Sequence, residues 1–346
     1  MWPMEKVCIY HLTLDELKNK LISEDFPAYR AQQVFDWIYR KGVSDFSFMS
    51  NISKREREKL SGIFEFINFE IMSKRKSADG TEKFLFKLRD DLSIETVVIP
   101  EKRRNTLCLS TQVGCKFNCR FCVSARGGFI RNLETSEIIK QYLDVSRAAE
   151  ITNIVFMGIG EPLDNFSNLV KSIRILKAKE GAGMPARRLT VSTCGLPKAI
   201  KKLAGLKLGV KLSVSLHSAY DEKRDKIMPV NRRYPLGVLL DSLKEFSKVS
   251  RYPVTFEYVM IKGFNVSLED ARRLAKFCNS LKSKVNLIPL NLSRGGLDKP
   301  DEPDISKFRD KLKRHGCLAV LRKPRGEDIE AACGQLRASL GAKKPF

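Results

Sequence analysis

The strongest chemical signal in the sequence is Cys115-Lys116-Phe117-Asn118-Cys119-Arg120-Phe121-Cys122, three thiols at spacings of four and three. Such spacing lets one loop converge on one inorganic centre, and thiolates are strong, soft ligands for iron–sulfur clusters and for zinc. The run lacks the spacing of a two-cluster ferredoxin, and no second CxxC follows at finger-like distance. Three protein ligands leave one iron of a cubane cluster open to a small chelating molecule. Structural zinc, with His217 or another cysteine as fourth ligand, is the competing reading. Gly114 gives the loop freedom to fold tightly, and Phe117 and Phe121 can shield a reduced cluster from water.

Other polar groups recur where apolar runs stop. They are Ser110-Thr111-Gln112, Gly158-Ile159-Gly160-Glu161-Pro162, Ser192-Thr193, Ser215-Leu216-His217 and Asn291. A parallel sheet gathers the C-terminal ends of its strands on one rim, which is where such folds place chemistry. Taken singly these residues are weak signals: the glycines of GxGEP could merely form a turn, and His217 could be an ordinary buried, hydrogen-bonded histidine. Glu95, in Ser93-Ile94-Glu95-Thr96-Val97, has rigid strand support, although a surface carboxylate would look identical in sequence.

The elements that must position these groups follow from hydrophobic periodicity. Residues 1–70 read as mainly helical, with Thr13 capping a first helix and Val34, Phe35, Ile38 and Tyr39 forming a core stripe. The pattern changes in residues 71–99, where 83–88 and 94–99 predict strands after an Asp79-Gly80 turn. From about residue 105 it becomes strand then helix, with strands at 106–111, 151–157, 188–192, 208–216, 254–261, 284–290 and 317–322. Helices are expected at 136–149, 166–179, 235–248, 268–282 and 304–314. A barrel and a doubly wound sheet both accommodate this series. Gathering the polar strand ends favours an α/β fold built as a partial (βα) barrel. The expected organisation is a helical unit at 1–70, a β-hairpin linking region at 71–104 and a catalytic domain at 105–346.

Composition narrows the partners. The 346 residues include 63 Lys and Arg against 40 Asp and Glu, a formal charge of +23. An excess of this size favours a polyanionic partner, although cations also serve solubility. The cations are dispersed, as in Lys74-Arg75-Lys76, Lys102-Arg103-Arg104 and Arg232-Arg233, so a binding track requires a fold that gathers them. Met1 to Leu21 lacks the apolar core of a signal peptide, and no run approaches the roughly 18–20 apolar residues of a membrane span. The expectation is a cytoplasmic chain without membrane contact, whose nine cysteines stay mostly reduced.

The CxxxCxxC form resembles radical S-adenosylmethionine enzymes, and a wider set of motifs narrows the likeness. Cys108-Leu109-Ser110-Thr111-Gln112-Val113-Gly114, Phe129-Ile130-Arg131-Asn132-Leu133, Met157 to Pro162, Ser213 to His217, Asn286 to Asn291 and Arg322 to Leu336 occur in order. Together with Tyr29-Arg30-Ala31-Gln32-Gln33 near the start, they resemble the dual-specificity RlmN methyltransferases over nearly the whole chain. That family methylates adenine carbon 2 in 23S ribosomal RNA and, in some bacteria, in tRNA.

The resemblance implies a [4Fe-4S] cluster on Cys115, Cys119 and Cys122, with S-adenosylmethionine on the open iron. Gly160, Glu161, Ser192, Ser215, Leu216, His217 and Asn291 are the implied cofactor contacts. Cys333 would first accept a methyl group, and a 5′-deoxyadenosyl radical would then activate that methyl for addition to carbon 2. Glu95 would serve as base and Cys108 would release the product through a transient disulfide with Cys333, which an electron-donating reductant protein must reset. Gly326 and Gly334 would give the Cys333 loop its freedom. The helical unit and the 71–99 hairpin are the expected RNA-shape readers. Cys8, Cys194, Cys278 and Cys317 read as small core residues. Ser124-Ala125-Arg126-Gly127-Gly128 and Leu292-Ser293-Arg294-Gly295-Gly296 depart from the usual family wording. Two alternatives accompany this reading: a Cfr-type enzyme acting on adenine carbon 8, and a nonenzymatic RNA-binding metalloprotein.

Overall fold

The computed structural model describes residues 6–291 and 296–336. Most of the departing segment after Asn291, residues 292–295, lies outside the described residues. The chain opens with β1 (Val7–Cys8), α1 (Leu14–Ile22), α2 (Arg30–Tyr39), α3 (Lys54–Ile63) and β2 (Phe64–Glu65). Thr13 and Glu16 close a capping box at the start of α1, and Ser53 and Glu56 do the same for α3. Val34, Phe35, Ile38 and Tyr39 form the buried stripe of α2, as their period requires. The Arg30 guanidinium grips Glu56 at 2.7 Å, tying α2 to α3.

Three longer strands follow, β3 (Glu70–Lys76), β4 (Glu82–Lys87) and β5 (Ser93–Glu101), then β6 (Arg104–Cys108). The β3–β4 connection is the expected tight turn, with Ser77 N–H donating to Thr81 O at 2.8 Å and Gly80 at φ +85°. A short hairpin, β7 (Gln112–Gly114) and β8 (Phe129–Asn132), precedes α4 (Thr135–Ser146). The alternation then runs β9 (Asn153–Phe156), α5 (Phe166–Lys177), β10 (Leu189–Thr193), α6 (Pro197–Gly205) and β11 (Lys211–Ser215). It continues through α7 (Asp221–Ile227), α8 (Val230–Arg233), α9 (Leu236–Val249), β12 (Thr255–Met260), α10 (Leu268–Ser280), β13 (Lys284–Pro289), α11 (Glu302–Arg314) and β14 (Leu318–Leu321).

One ten-stranded sheet carries the architecture, in the order β14-β13-β12-β11-β10-β9-β6-β5-β4-β3. Neighbours from β14 to β6 are parallel, whereas β6-β5-β4-β3 is antiparallel. The sheet does not close on itself, which gives the partial barrel expected from the strand series. The 71–99 hairpin is therefore hydrogen-bonded to the parallel strands and extends their sheet. Several elements were not anticipated, among them the short β1–β2 pair, α6, which begins at Pro197, α7, α8, and the β7–β8 hairpin that brackets the three thiols.

The main core lies between the sheet and its helices, filled by residues such as Phe156, Val191, Leu212, Val214, Phe256 and Leu287. A separate apolar cluster joins Val97, Cys108, Ile159, Ile329, Ala331 and Leu336. It brings together strand ends and a C-terminal segment far apart in sequence. Among the described residues no helix is long and apolar enough to cross a membrane.

Candidate active site

The three thiols lie between β7 and the short helical turn Val123–Ala125. Cys115 N–H donates to Gly128 O at 2.9 Å, and Cys122 N–H donates to Cys119 O at 3.0 Å. Gly114 adopts φ +76°, and a β-carbon there would sit 1.8 Å from Gly128 O. Only glycine lets the hairpin close at this point. Burial, followed by contributions from neighbouring acidic groups, pushes the Cys115 thiol up to about 12 and the Cys119 thiol well above its ordinary value. Cys122 is raised chiefly by burial as well. Cys115 and Cys119 each feel the charge of Cys122, so the three sulfurs share one small region.

Among the described residues no three His, Cys, Asp or Glu side chains form a group for a single metal ion. Three thiols carried by one loop are by type a donor set suited to an iron–sulfur cluster. Phe117, Cys119 and Phe121 pack on Ile227, Met228, Val259 and Leu290, an apolar wall for such a group.

The strand-end residues assemble around this loop. Gly160 adopts φ +101°, and a β-carbon on it would approach Gln112 Cβ to 2.5 Å. Gln112 Oε1 in turn accepts from Glu161 N–H at 2.8 Å. Glu161 is buried, and its oxygens accept from Leu163 N–H at 2.9 Å and Cys194 N–H at 2.6 Å. Burial nevertheless raises its carboxyl. Glu161 thus ties the end of β9 to the end of β10, and it has only its remaining lone pairs to offer a ligand.

Ser192 and Ser215 are half-buried on their strands. The register pairs Ser192 with Ser213 and Ser215 with Glu257, which places all four on one face. Leu216 is fully buried. His217 has φ +57°, accepts Val259 N–H on Nδ1 at 3.0 Å, and meets Phe121 edge-on at 4.5 Å. Burial, then the nearby Arg224 charge, lowers its pKa to about 3, so the ring is neutral. Asn291, Ile288, Phe121, Cys333 and Gln335 line a common cavity.

Cys108 lies at the end of β6, opposite Val97. Burial and the neighbouring Cys333 charge push its thiol up to about 12, while the Arg322 guanidinium acts the other way. Arg322 feels Cys333 and Cys108 in turn, and its Nη1 is 3.8 Å from Glu257 Oε2. The two sulfurs, 225 positions apart in sequence, therefore share one cation. Cys333 itself is exposed.

Its loop is pinned on both sides. Val123 N–H donates to Gly334 O at 2.7 Å, and Ser124 Oγ donates to Leu336 O at 2.6 Å, docking the loop on the cluster segment. On the other side Gly326 N–H donates to Asp79 Oδ2 at 3.0 Å. Asp328 accepts from Ser77 Oγ at 2.5 Å and Ala78 N–H at 3.1 Å. Glu95, on β5, faces Lys83 of β4 with Oε1 and Nζ 3.0 Å apart.

Several residues of this site carried no usable sequence signal. Arg224 is fully buried in the charged string Asp221-Glu222-Lys223-Arg224-Asp225-Lys226, which reads as a solvated helix face. It donates to Cys194 O at 2.6 Å and Ser215 O at 3.1 Å, stapling the ends of β10 and β11. Lys83 and Glu257 were likewise unmarked, and Asp79 registered only as part of a turn.

Residues 8–66 match the family described as ribosomal RNA large subunit methyltransferase N-terminal domain, and residues 109–277 match the radical SAM superfamily. The chain is 42% identical over 335 residues to the dual-specificity RNA methyltransferase RlmN of Geobacter sulfurreducens, covering 96% of this chain and 93% of that protein. It is 44% identical over 338 residues to the protein of the same description from Geotalea uraniireducens, covering 97% and 98%. A crystal structure of a radical SAM methyltransferase from Sphaerobacter thermophilus aligns with a TM-score of 0.90 at 39% identity, covering 96% of this chain and 99% of that one.

Proposed function

The chain belongs to the RlmN/Cfr family of RNA methyltransferases within the radical SAM superfamily, and from that premise we propose how its residues divide the reaction. It is an enzyme of the dual-specificity RlmN type. Family membership implies a [4Fe-4S] cluster and S-adenosylmethionine. When bound, these groups supply an electrophilic methyl for one step and a hydrogen-abstracting radical for another. Cys115, Cys119 and Cys122 would hold the cluster. Gly160, Glu161, Ser192, Ser215, Leu216, His217 and Asn291 would line the S-adenosylmethionine site at the same rim.

Cys333, the exposed sulfur, accepts the methyl group. After its methyl carbon has bonded to carbon 2 of an adenine, Glu95 takes the proton that carbon 2 must lose. Once the adduct has also given up to the iron–sulfur group the odd electron of the radical addition, Cys108 as a thiolate attacks the Cys333 sulfur. The disulfide forms as the carbon–sulfur bond breaks, and the departing carbon takes up a proton to become the methyl group. A reductant protein returns both thiols. The substrate is 23S ribosomal RNA, with tRNA the second candidate, and the target adenine is turned out of its stack. Residues 1–70 and the 71–99 hairpin serve RNA recognition, within a β linking region at 71–104 ahead of a catalytic domain at 105–346, and the enzyme works in the cytoplasm.

The observation that carries this reading is the packing of Cys108 against Ile329, Ala331 and Leu336, which flank Cys333 on a loop hydrogen-bonded to the cluster segment. The test is anaerobic reconstitution with methyl-labelled S-adenosylmethionine, ribosomal RNA and tRNA. Label is expected on carbon 2, with no protein methylation in Cys333→Ala and RNA trapped on protein in Cys108→Ala. Label on carbon 8 would refute the specificity. Stoichiometric zinc with no iron–sulfur signal would refute the chemistry.

A further inference from the structure

Lys83 occupies a position that surface lysines do not. Its side chain is only 7% exposed and that of Glu95 only 11%. In the β4–β5 register Lys83 pairs with Val97, and Leu85 pairs with Glu95. Lys83 and Glu95 are therefore diagonal neighbours on the face that also carries Val97 and, one strand further, Cys108. Lys83 Nζ also donates to Glu330 O at 3.1 Å. One ammonium thus touches the proposed base and the loop that ends in Cys333.

We propose that Lys83 is a positioning residue, one ammonium that orients the Glu95 carboxylate and suspends the Cys333 loop by Glu330. The inference rests on the roles given above to Glu95 and Cys333. A lysine has three N–H donors and a long stem, so it can span a strand and a loop. Burying that charge is costly unless it is paired, which argues against a mere filler.

The loop supplies an independent observation. Glu330 is a non-glycine residue at φ +53°, a conformation unfavourable for L-residues. The carbonyl of this strained residue is the one Lys83 holds. The other anchors, on Gly326 and Asp328, lie nearer the start of the loop, and their partners Asp79, Ser77 and Ala78 all sit in the β3–β4 turn. Lys83 combines the anchor nearest Cys333 on that side with contact to Glu95. Its predicted effect is to keep the carboxylate aimed while holding the sulfur at constant reach.

The experiment compares Lys83→Met, Lys83→Arg, Glu95→Gln and the parent as full chains, reconstituted anaerobically with labelled S-adenosylmethionine and ribosomal RNA. Three quantities are read: methyl on Cys333, RNA covalently held on protein, and multiple-turnover rate. Hydrogen exchange of residues 326–336 without RNA is the fourth. Lys83→Met is expected to keep methyl-Cys333, to accumulate bound RNA, and to turn over roughly 10- to 100-fold more slowly, a misaimed base costing up to about the lower end of what a lost one costs. Its loop amides should exchange several-fold faster, on the order expected when a local tether is lost.

Lys83→Arg, which retains charge and donors, should recover most of the turnover. Parent-like turnover in Lys83→Met overturns the proposal. So does a loss of methyl-Cys333 and turnover together, without bound RNA, or a failure of arginine to rescue. Glu95→Gln separates the layers: parent-like turnover there sinks the base assignment and this inference with it. Trapped RNA in Glu95→Gln but not in Lys83→Met sinks this inference alone.

Discussion

Gly114→Ala tests how tightly the cluster loop is specified. The residue has φ +76°, and the added β-carbon would lie 1.8 Å from Gly128 O and 2.9 Å from Gly128 C. Both neighbours are backbone, so no side-chain rotation relieves the contact. The left-handed conformation costs an alanine about 1–2 kcal/mol. Moving the Gly128 carbonyl away gives up its 2.9 Å bond from Cys115 N–H, worth about 0.5–1.5 kcal/mol. The local penalty is therefore roughly 1.5–3.5 kcal/mol, or about 10- to 300-fold in the population of the closed hairpin.

That penalty falls on the segment between β7 and β8, which form their own two-stranded sheet apart from the main one. Iron and sulfide content after anaerobic reconstitution should fall to a minor fraction of the parent value, while far-ultraviolet circular dichroism stays unchanged. Parent-like iron loading with parent-like stability would refute the claim that this glycine closes the loop.

Three further outcomes follow from other parts of the molecule. His217 is held neutral in the fold with a pKa near 3, below its ordinary 6.5. The unfolded chain therefore takes up a proton that the folded chain refuses, and stability should decline as pH falls from 6.5 towards 3, by at most about 1.4 kcal/mol per pH unit from this group. His217→Asn, which keeps an acceptor and tolerates positive φ, should flatten that decline in urea titrations of the metal-free chain; an unchanged slope would refute the assignment. Replacing Lys74, Arg75 and Lys76 by alanine should weaken RNA binding and reduce the slope of log affinity against log salt by about 2, read by filter binding at several salt concentrations. An unaltered slope would remove β3 from the RNA track. Asp328→Ala should accelerate proteolysis within 326–336 without moving the melting temperature, since its contacts to Ser77 and Ala78 lie at the exposed edge of the loop; an intact cleavage profile would show that the other anchors suffice.

The strand series was legible because each parallel strand is a short apolar run buried by helices on one side and by neighbouring strands. Helix α6 was missed although its signals are present: Pro197 stands in its first turn, and Ile200, Leu203 and Ala204 share its buried face. The β7–β8 hairpin is held by turn geometry and close glycine contact, with little apolar pattern to announce it. Lys83 shows the deeper limit. In Lys83-Phe84-Leu85-Phe86-Lys87, alternation assigns the phenylalanines to the core and the lysines to water. The Lys83 end of β4 is covered on both faces, so that lysine is buried while Lys87 remains half-exposed. The thiol triplet spoke for itself through its spacing. The pairing of Cys108 with Cys333 came only from the family likeness, because chain distance conceals an approach created by a folded-back loop.

The antiparallel seam between β5 and β6 has a consequence for how this chemistry can fail. Parallel strands deliver groups to the rim only from their ends, whereas β5, running against β6, presents Glu95 from within a bonded ladder. A one-residue slip of β4 would turn Lys83 away from the barrel, leaving Glu95 without its cation while the three-cysteine loop stood untouched. On the roles proposed above, such a slipped enzyme would still split its cofactor but stall with substrate attached. The sheet's alignment is in this sense a second safeguard on turnover, built from the backbone hydrogen bonds of the β4–β5 ladder.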